Sequence, residues 1–436
     1  MSAVHAKEIY DAALNSVQPE SLIPQFLKLD GNSITIGDNS YELDSSQKII
    51  LIGAGKASAA MAQAAEKILG DKIAFGIIVT KYGHSLPLKY CKIIEAGHPV
   101  PDQNSVFGCS QIVGAIEGKN ESDLIIFLLS GGASSLLTDL PTGISLDDII
   151  NLNKNLLNCG ADIHETNTVR KHVSQIKGGQ LTKIALPAKI HTLILSDVPG
   201  DDPSSIASGP TIPDQTTFKD AFDVVVKYKL ENKIPTSVID WLHKGITEEN
   251  NSNNSERKDN YGPLYSIIGS NSSAIDAARK KATELKYHVE IIPSILHGEA
   301  REKAIEFLQI INKYTAPRPV CFLWGGESSV TVKGDGKGGR CQEFVLSAIN
   351  EIIKSAGDFS NTPIILCAGT DGTDGDTDAA GAIMDKSVLE SIKSMKLDPF
   401  PYLDQNNSYN FFRKTGGLIV TGPTSTNVMD IVIGIK

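Results

Sequence analysis

Thirteen residues, Gly369 to Gly381 (GTDGTDGDTDAAG), hold four carboxylates and four glycines directly after the apolar run Ile364-Ile365-Leu366-Cys367-Ala368. Such a run reads as a short buried strand, and the glycines and acids after it as a loop. A strand emptying into a Gly/Asp/Thr loop places acidic groups at the carboxyl edge of a sheet, where α/β proteins gather ligands. The chemistry on offer is metal or hydroxyl binding. Asp and Gly are also ordinary turn residues, so this loop alone would equally suit a solvated turn. Other strand ends in the chain carry equally specialised residues.

Lys48-Ile49-Ile50-Leu51-Ile52 breaks at Gly53-Ala54-Gly55-Lys56-Ala57-Ser58 and continues as an alanine-rich helix to Leu69. Strand, glycine turn and helix form a phosphate-binding geometry, because a helix start offers free N–H groups and the positive end of its dipole. Lys56 is an unusual residue there, since a cation is repelled unless an anion joins it. Arg340, delivered by the glycine-rich Lys333–Arg340 stretch to the start of a helix, stands in the same situation. The strand Leu124 to Leu129 ends in Ser130-Gly131-Gly132-Ala133-Ser134-Ser135, whose N–H and hydroxyl groups suit carboxylate or phosphate oxygens. Asp197 follows the strand Ile190 to Leu195 and outranks Asp201 and Asp202 as a base or metal ligand. His98 lies in a loop with two prolines and shows no partner, so it reads as structural. Arg170, Lys171, His172 and Lys177 make a basic patch, either a solvated helix face or counter-charge for a phosphate.

Two familiar motifs fail. A Walker loop would need glycine where Ile50 stands and Ser or Thr where Ala57 stands. The dinucleotide fingerprint is met at Gly53 and Gly55 but has Ser58 third, and the next strand ends in Thr80-Lys81, not in an acid for a ribose.

The elements holding these residues alternate strand and helix over 436 residues, too long for one core, and two α/β domains are expected. The expected division is 1–246, a polar loop or linker at 247–260, and 261–436. No apolar run approaches the roughly 20 residues of a membrane span. A net charge of −10 argues against sequence-independent nucleic-acid binding. The six cysteines are scattered without a C-x-x-C pair, so neither a zinc cluster nor a redox dithiol is suggested. With no targeting segment visible between Met1 and Gln18, the expected compartment is cytoplasmic.

Taken together, GAGKAS (53–58), HPVPDQNS (98–105), LSGGASSLL (129–137), NTVRKHVSQIKGG (167–179), LSDVPGDD (195–202), IASGPT (206–211), GGRCQE (338–343), GTDGTDGDTDAAGA (369–382) and GGLIVTGPTSTNV (416–428) resemble the class II glycerate kinases, whose second half is the MOFRL domain. The resemblance implies two Rossmann-like α/β domains with parallel or mixed sheets and an active-site cleft between them. It implies ATP-dependent, Mg²⁺-assisted phosphorylation of D-glycerate at its 2-hydroxyl. The family's active-site lysine and arginine fall on Lys56 and Arg340. Asp197 is then expected at the substrate hydroxyl and Ser130, Gly131, Gly132 and Ser134 at its carboxylate. Gly53, Gly55, Asn271, Glu327, Thr370 and Asp371 are expected at the nucleotide, with Asp371 and Asp374 at the metal. This chain departs from the family pattern at Cys341 (Asn expected), Asp376 (Pro) and Ser425 (Gly).

The rival expectation is an NAD(P)H-dependent hydroxypyruvate or tartronate-semialdehyde reductase, which the incomplete dinucleotide fingerprint disfavours. A non-catalytic sensor of nucleotide or sugar acid leaves the acids beside Lys56 and Arg340 without a role. The expected partners are small molecules, with neither nucleic acid nor membrane, and a homodimer stays open.

Overall fold

The computed structural model describes residues 3–44, 47, 49–251, 262–355 and 361–436. It divides into two compact units, Leu22–Ile268 and a second made of Met1–Ser21 with Gly269–Lys436.

The first unit opens with an antiparallel meander of β1 (Leu27–Asp30), β2 (Ser33–Ile36) and β3 (Asn39–Glu42). Its main sheet runs β6 (Cys91–Ala96), β5 (Ile73–Lys81), β4 (Ile49–Ala54), β7 (Leu124–Ser130), β8 (Lys189–Leu195) and β9 (Leu264–Gly269). The pairs from β6 through β8 are parallel. β4 and β7 are buried along their whole length, which is why they read as unbroken apolar runs and not as alternating ones. The chain leaves β4 for β5 and β6 on one side and returns to β7 and β8 on the other. The carboxyl ends of β4 and β7 therefore form the point where strand order reverses, the usual ligand crevice of an open parallel sheet.

The second unit has a mixed sheet, β10 (His288–Ile291), β12 (Val320–Ser329), β16 (Asp430–Ile435), β13 (Ile364–Gly369), β14 (Gly381–Met384) and β15 (Leu418–Ile419), with β11 (Leu296–Glu299) beside β12. The C-terminal strand β16 lies centrally, antiparallel to both β12 and β13. Phe307, Trp324 and Phe344 pack from a flanking helix, the sheet and the helix Arg340–Ser355 into one core. The α/β class with parallel and mixed sheets is as expected.

Three local expectations differ from the structure. Residues 1–21 group with the C-terminal stretch, not with the unit they precede. The helix Ala3–Ser16 is buried there through Ile9, Tyr10 and Ala13, and the Tyr10 hydroxyl donates to the Gly369 carbonyl at 2.7 Å. Residues 247–251, expected as polar linker, are the last turns of the helix Thr236–Asn251, where the Thr247 hydroxyl donates to the His243 carbonyl. The remainder of that stretch, 252–260, lies outside the described residues. Finally, the glycine run 333–340, which reads from the sequence as a flexible hairpin, is held against its neighbours. Gly334 and Gly336 press against the backbone of Gln405, so that an added Cβ would come within 2.6 Å and 2.3 Å of it.

Candidate active site

In the first unit, the turn after β4 and the turn after β7 are laced together. The Lys56 N–H donates to the Gly131 carbonyl at 2.9 Å and the Ala57 N–H to the Ser130 hydroxyl at 3.0 Å. Gly55, at φ +128°, lies so close to Ser130 that a Cβ would meet its Oγ at 2.1 Å, so only glycine allows the two turns to approach this closely. The Gly55 carbonyl is held by the Ser58 hydroxyl at 2.7 Å and the Thr80 hydroxyl at 3.1 Å.

The side chains gathered around the β7 turn include Lys56 and Asp197, and also His98, which reads from the sequence as structural. A Cβ on Gly131 would fall 1.8 Å from the Asp197 Oδ2, so the carboxylate rests directly on the glycine. A Cβ on Gly132 would lie 3.0 Å from the His98 Nε2 and 3.4 Å from the Lys56 Cγ. Lys56, His98, Gly131, Gly132 and Asp197 are thus neighbours, with Ser130 beneath them. Burial, reinforced by the Lys56 and Lys81 cations, pulls the His98 imidazole down to about 4. His98 is therefore neutral near pH 7, an acceptor or donor but not a cation. Gly53 is not at this surface: it lies within β4, packed against Ile78 and the Leu128 carbonyl, which makes it a packing glycine and not a nucleotide contact. Ser134 turns toward Ser208, with 3.3 Å between hydroxyls, and Ser208 donates to the Asn167 amide oxygen at 2.9 Å.

The second unit carries a cluster of opposite character. Arg340 donates through Nε and Nη2 to the two oxygens of Asp430 at 2.6 and 2.8 Å, and its Nη1 lies 3.0 Å from Glu327. Asp430 is fully buried at the head of β16. The fork-to-fork pair holds the guanidinium charge firmly and pushes its pKa further up, against the cost of burial. Sequence reasoning inferred that Arg340 at a helix start required an outside anion. Here the anions belong to the chain.

Asp374 has a structural assignment too. Its oxygens accept the Cys341 and Gln342 N–H groups at 3.0 and 2.8 Å, capping the helix that begins at Arg340. Burial pushes its carboxyl up to about 7, opposed by those two donors. With both oxygens engaged, Asp374 does not suit metal coordination. The Asn271 amide donates to the Val428 and Asp430 carbonyls at 2.8 and 3.1 Å. The Thr370 hydroxyl donates to the Met429 carbonyl at 2.7 Å and accepts the Val428 N–H at 2.8 Å. Both hold the approach to β16, so neither side chain is oriented toward a nucleotide. Asp371 and Asp430 stand together over Gly369, whose added Cβ would lie 3.3 and 3.2 Å from their carboxylates. Among the described residues no cluster of three His, Cys, Asp or Glu side chains is poised around a cation. A Mg²⁺ delivered with a nucleotide needs only one or two protein carboxylates, and Asp371 and Glu327 are the acids here that suit it.

Sequence reasoning missed Asp430. Its one signal was an acid immediately before the terminal apolar run Ile431-Val432-Ile433.

One α/β unit thus carries a glycine-serine turn beside a lysine, and the other a buried arginine–carboxylate pair beside an acidic loop. Residues 5–243 match the family described as Domain of unknown function (DUF4147), and residues 320–430 match the MOFRL family. A D-glycerate 2-kinase of Thermotoga maritima is 44% identical over 89% of this chain and 90% of its own length. A glycerate 2-kinase of Pyrococcus horikoshii is 38% identical over 99% and 94%. A crystal structure of a glycerate kinase from Thermotoga maritima superposes with a TM-score of 0.84 at 39% identity, covering 99% of this chain and 98% of that one. The chain belongs to the glycerate kinase family composed of DUF4147 and MOFRL segments. Among its relatives is also an Agrobacterium vitis protein named as a hydroxypyruvate reductase, 39% identical over 98% of this chain.

Proposed function

We propose that this protein is an ATP-dependent kinase that phosphorylates the 2-hydroxyl of D-glycerate, giving 2-phosphoglycerate and ADP. The observation that carries the reading is the junction of the β4 and β7 turns. Lys56, Gly131, Gly132 and Asp197 lie close together there, which supports a seat for a phosphoryl acceptor and donor.

The 2-hydroxyl oxygen bonds to the γ-phosphorus, the bond from that phosphorus to the bridging oxygen breaks, and its electron pair leaves with ADP. Asp197 receives or orients the hydroxyl proton from its place on Gly131. Lys56 and Arg340 carry positive charge to the group in transfer, a task worth about 10³–10⁵ in rate for a well-placed arginine in such reactions. Arg340 reaches this role already oriented by Asp430. The N–H groups of Gly55, Lys56, Ala57 and Ser58 are engaged within the fold, so at this turn the Lys56 side chain is the group that meets phosphate oxygens. Asp371 and Glu327 would hold Mg²⁺, which when bound neutralises phosphate charge. The residue assignments rest on the resemblance and on these local geometries.

A cytoplasmic location is part of the proposal; no described helix is long and apolar enough to cross a membrane. The reductase alternative is favoured by no side chain at the β5 end, where Thr80 donates to the Gly55 carbonyl and Lys81 follows. Incubation with D-glycerate and Mg-ATP should release ADP. Incubation with hydroxypyruvate and NADH or NADPH should leave the absorbance at 340 nm unchanged. The opposite pair of results overturns the proposal.

A further inference from the structure

A partly open cavity of about 60 Å³ lies beside the β7 turn, lined by Ser134, Ser135, Asp139, Asn153, Arg170 and Lys177. That is room for several waters, each needing about 10–15 Å³ by the same measure, or for the carboxylate end of a small acid. Two of its polar groups are cations, Lys177 buried and Arg170 partly buried. Lys177 is 8% exposed, donates to the Leu137 carbonyl at 3.1 Å and is balanced by the nearby Asp139. Asp139 in turn accepts from the Ser174 hydroxyl at 2.6 Å and the Gln175 N–H at 2.5 Å.

Arg170 has no such balance. Among the described residues its guanidinium makes one hydrogen bond, from Nε to the Asn153 amide oxygen at 2.8 Å, which leaves its two terminal amino groups for another partner. Burial pulls its pKa down, with no carboxylate opposing the shift. A guanidinium partly withdrawn from water without a carboxylate of its own costs free energy, and an anion bound to it in the cavity would recover part of that. The β7 turn, by contrast, is a poor seat for a carboxylate at its Gly131 end, because the Asp197 carboxylate already rests there. That end suits a hydroxyl.

We propose that Arg170 binds the carboxylate of the acid substrate in this cavity, while the hydroxyl to be phosphorylated faces Asp197 at the other end of the same turn. This rests on the kinase reading above and moves the carboxylate from Gly131 and Gly132 to Arg170. It also assigns a ligand class to the site: short 2-hydroxy acids, with neutral polyols excluded.

The test compares the wild-type enzyme with Arg170→Met, Arg170→Lys and Asn153→Leu, with circular dichroism to verify folding. For Arg170→Met the KM for D-glycerate should rise about 10- to 100-fold, the worth of hydrogen bonds to a charged group. Its KM for ATP should stay within about twofold, and Arg170→Lys should restore part of the loss. Any slow turnover of glycerol, which has no carboxylate, should be the same in the wild type and Arg170→Met. Asn153→Leu frees Arg170 from its one tether and should raise the glycerate KM several-fold. It keeps the test open if Arg170→Met fails to fold. An unchanged glycerate KM in folded Arg170→Met, or in Asn153→Leu if that protein alone folds, overturns this inference while leaving the kinase standing. A wild type that releases no ADP with D-glycerate overturns the kinase reading instead.

Discussion

The two units hold their candidate site residues in contrasting ways. In the first, backbone does most of the work: glycines at 55, 131 and 132 let two turns and an aspartate approach to distances any side chain would block. In the second, charge does it: Arg340 is gripped by the buried Asp430, and Asp374 caps the same helix. A glycine-built site is damaged by adding atoms, and an ion-pair site by removing them. The first kind of damage should appear mainly in turnover, the second also in stability.

Lys56→Ala should give the largest effect on rate, a fall in kcat of about 10³-fold or more, with an unfolding free energy changed by less than ~1 kcal/mol. Near-normal turnover in this variant would remove Lys56 from the mechanism. Arg340→Ala should lose activity too, but it also strands Asp430 as an unpaired buried charge. A loss of about 3–5 kcal/mol in urea denaturation is expected, and combining it with Asp430→Asn should recover part of that. Equal stability in Arg340→Ala and Lys56→Ala would erase the contrast between the units.

Gly131→Ala should lower kcat/KM about 100-fold by displacing Asp197, with KM for ATP little changed, as expected when a reacting group shifts by about an ångström. Asp374 gives a pH-dependent test. A carboxyl raised from 3.8 to about 7 keeps its proton in the folded protein after the unfolded chain has released it. Its contribution to stability therefore falls as pH rises across that interval. Thermal midpoints of Asp374→Asn relative to the wild type should climb between those two pH values and level off above. A constant offset would show that the capping N–H groups outweigh burial. Smallest of all, His98→Gln should leave the shape of the kcat/KM profile between pH 6 and 8 unaltered, because His98 is already neutral there. Loss of a titration step in that range would show His98 to be charged.

Much of the first unit was legible in the sequence because its strands are continuous apolar runs that stop at Gly, Ser or Asp, so the turns carrying Lys56, Ser130 and Asp197 announce themselves. What could not be read was partnership. Arg340 and Asp430 are 90 positions apart, and nothing local marks one as the other's counter-ion. Asp374 looks like a metal ligand in a run of acids, yet it spends both oxygens on backbone 32 and 33 residues earlier. Asn271 and Thr370 were misread in the same way, as polar residues next to strand ends whose hydrogen bonds are consumed within the fold. The attachment of the first helix to the far end of the chain was hidden because Tyr10 finds its acceptor 359 residues away.

Phosphorus NMR of the products formed from D-glycerate and Mg-ATP is the most direct measurement. The account predicts a phosphomonoester on the 2-oxygen appearing in step with ADP, and its disappearance in Lys56→Ala. A wild-type reaction that yields the 3-phosphate, or no phosphate ester at all, would contradict it.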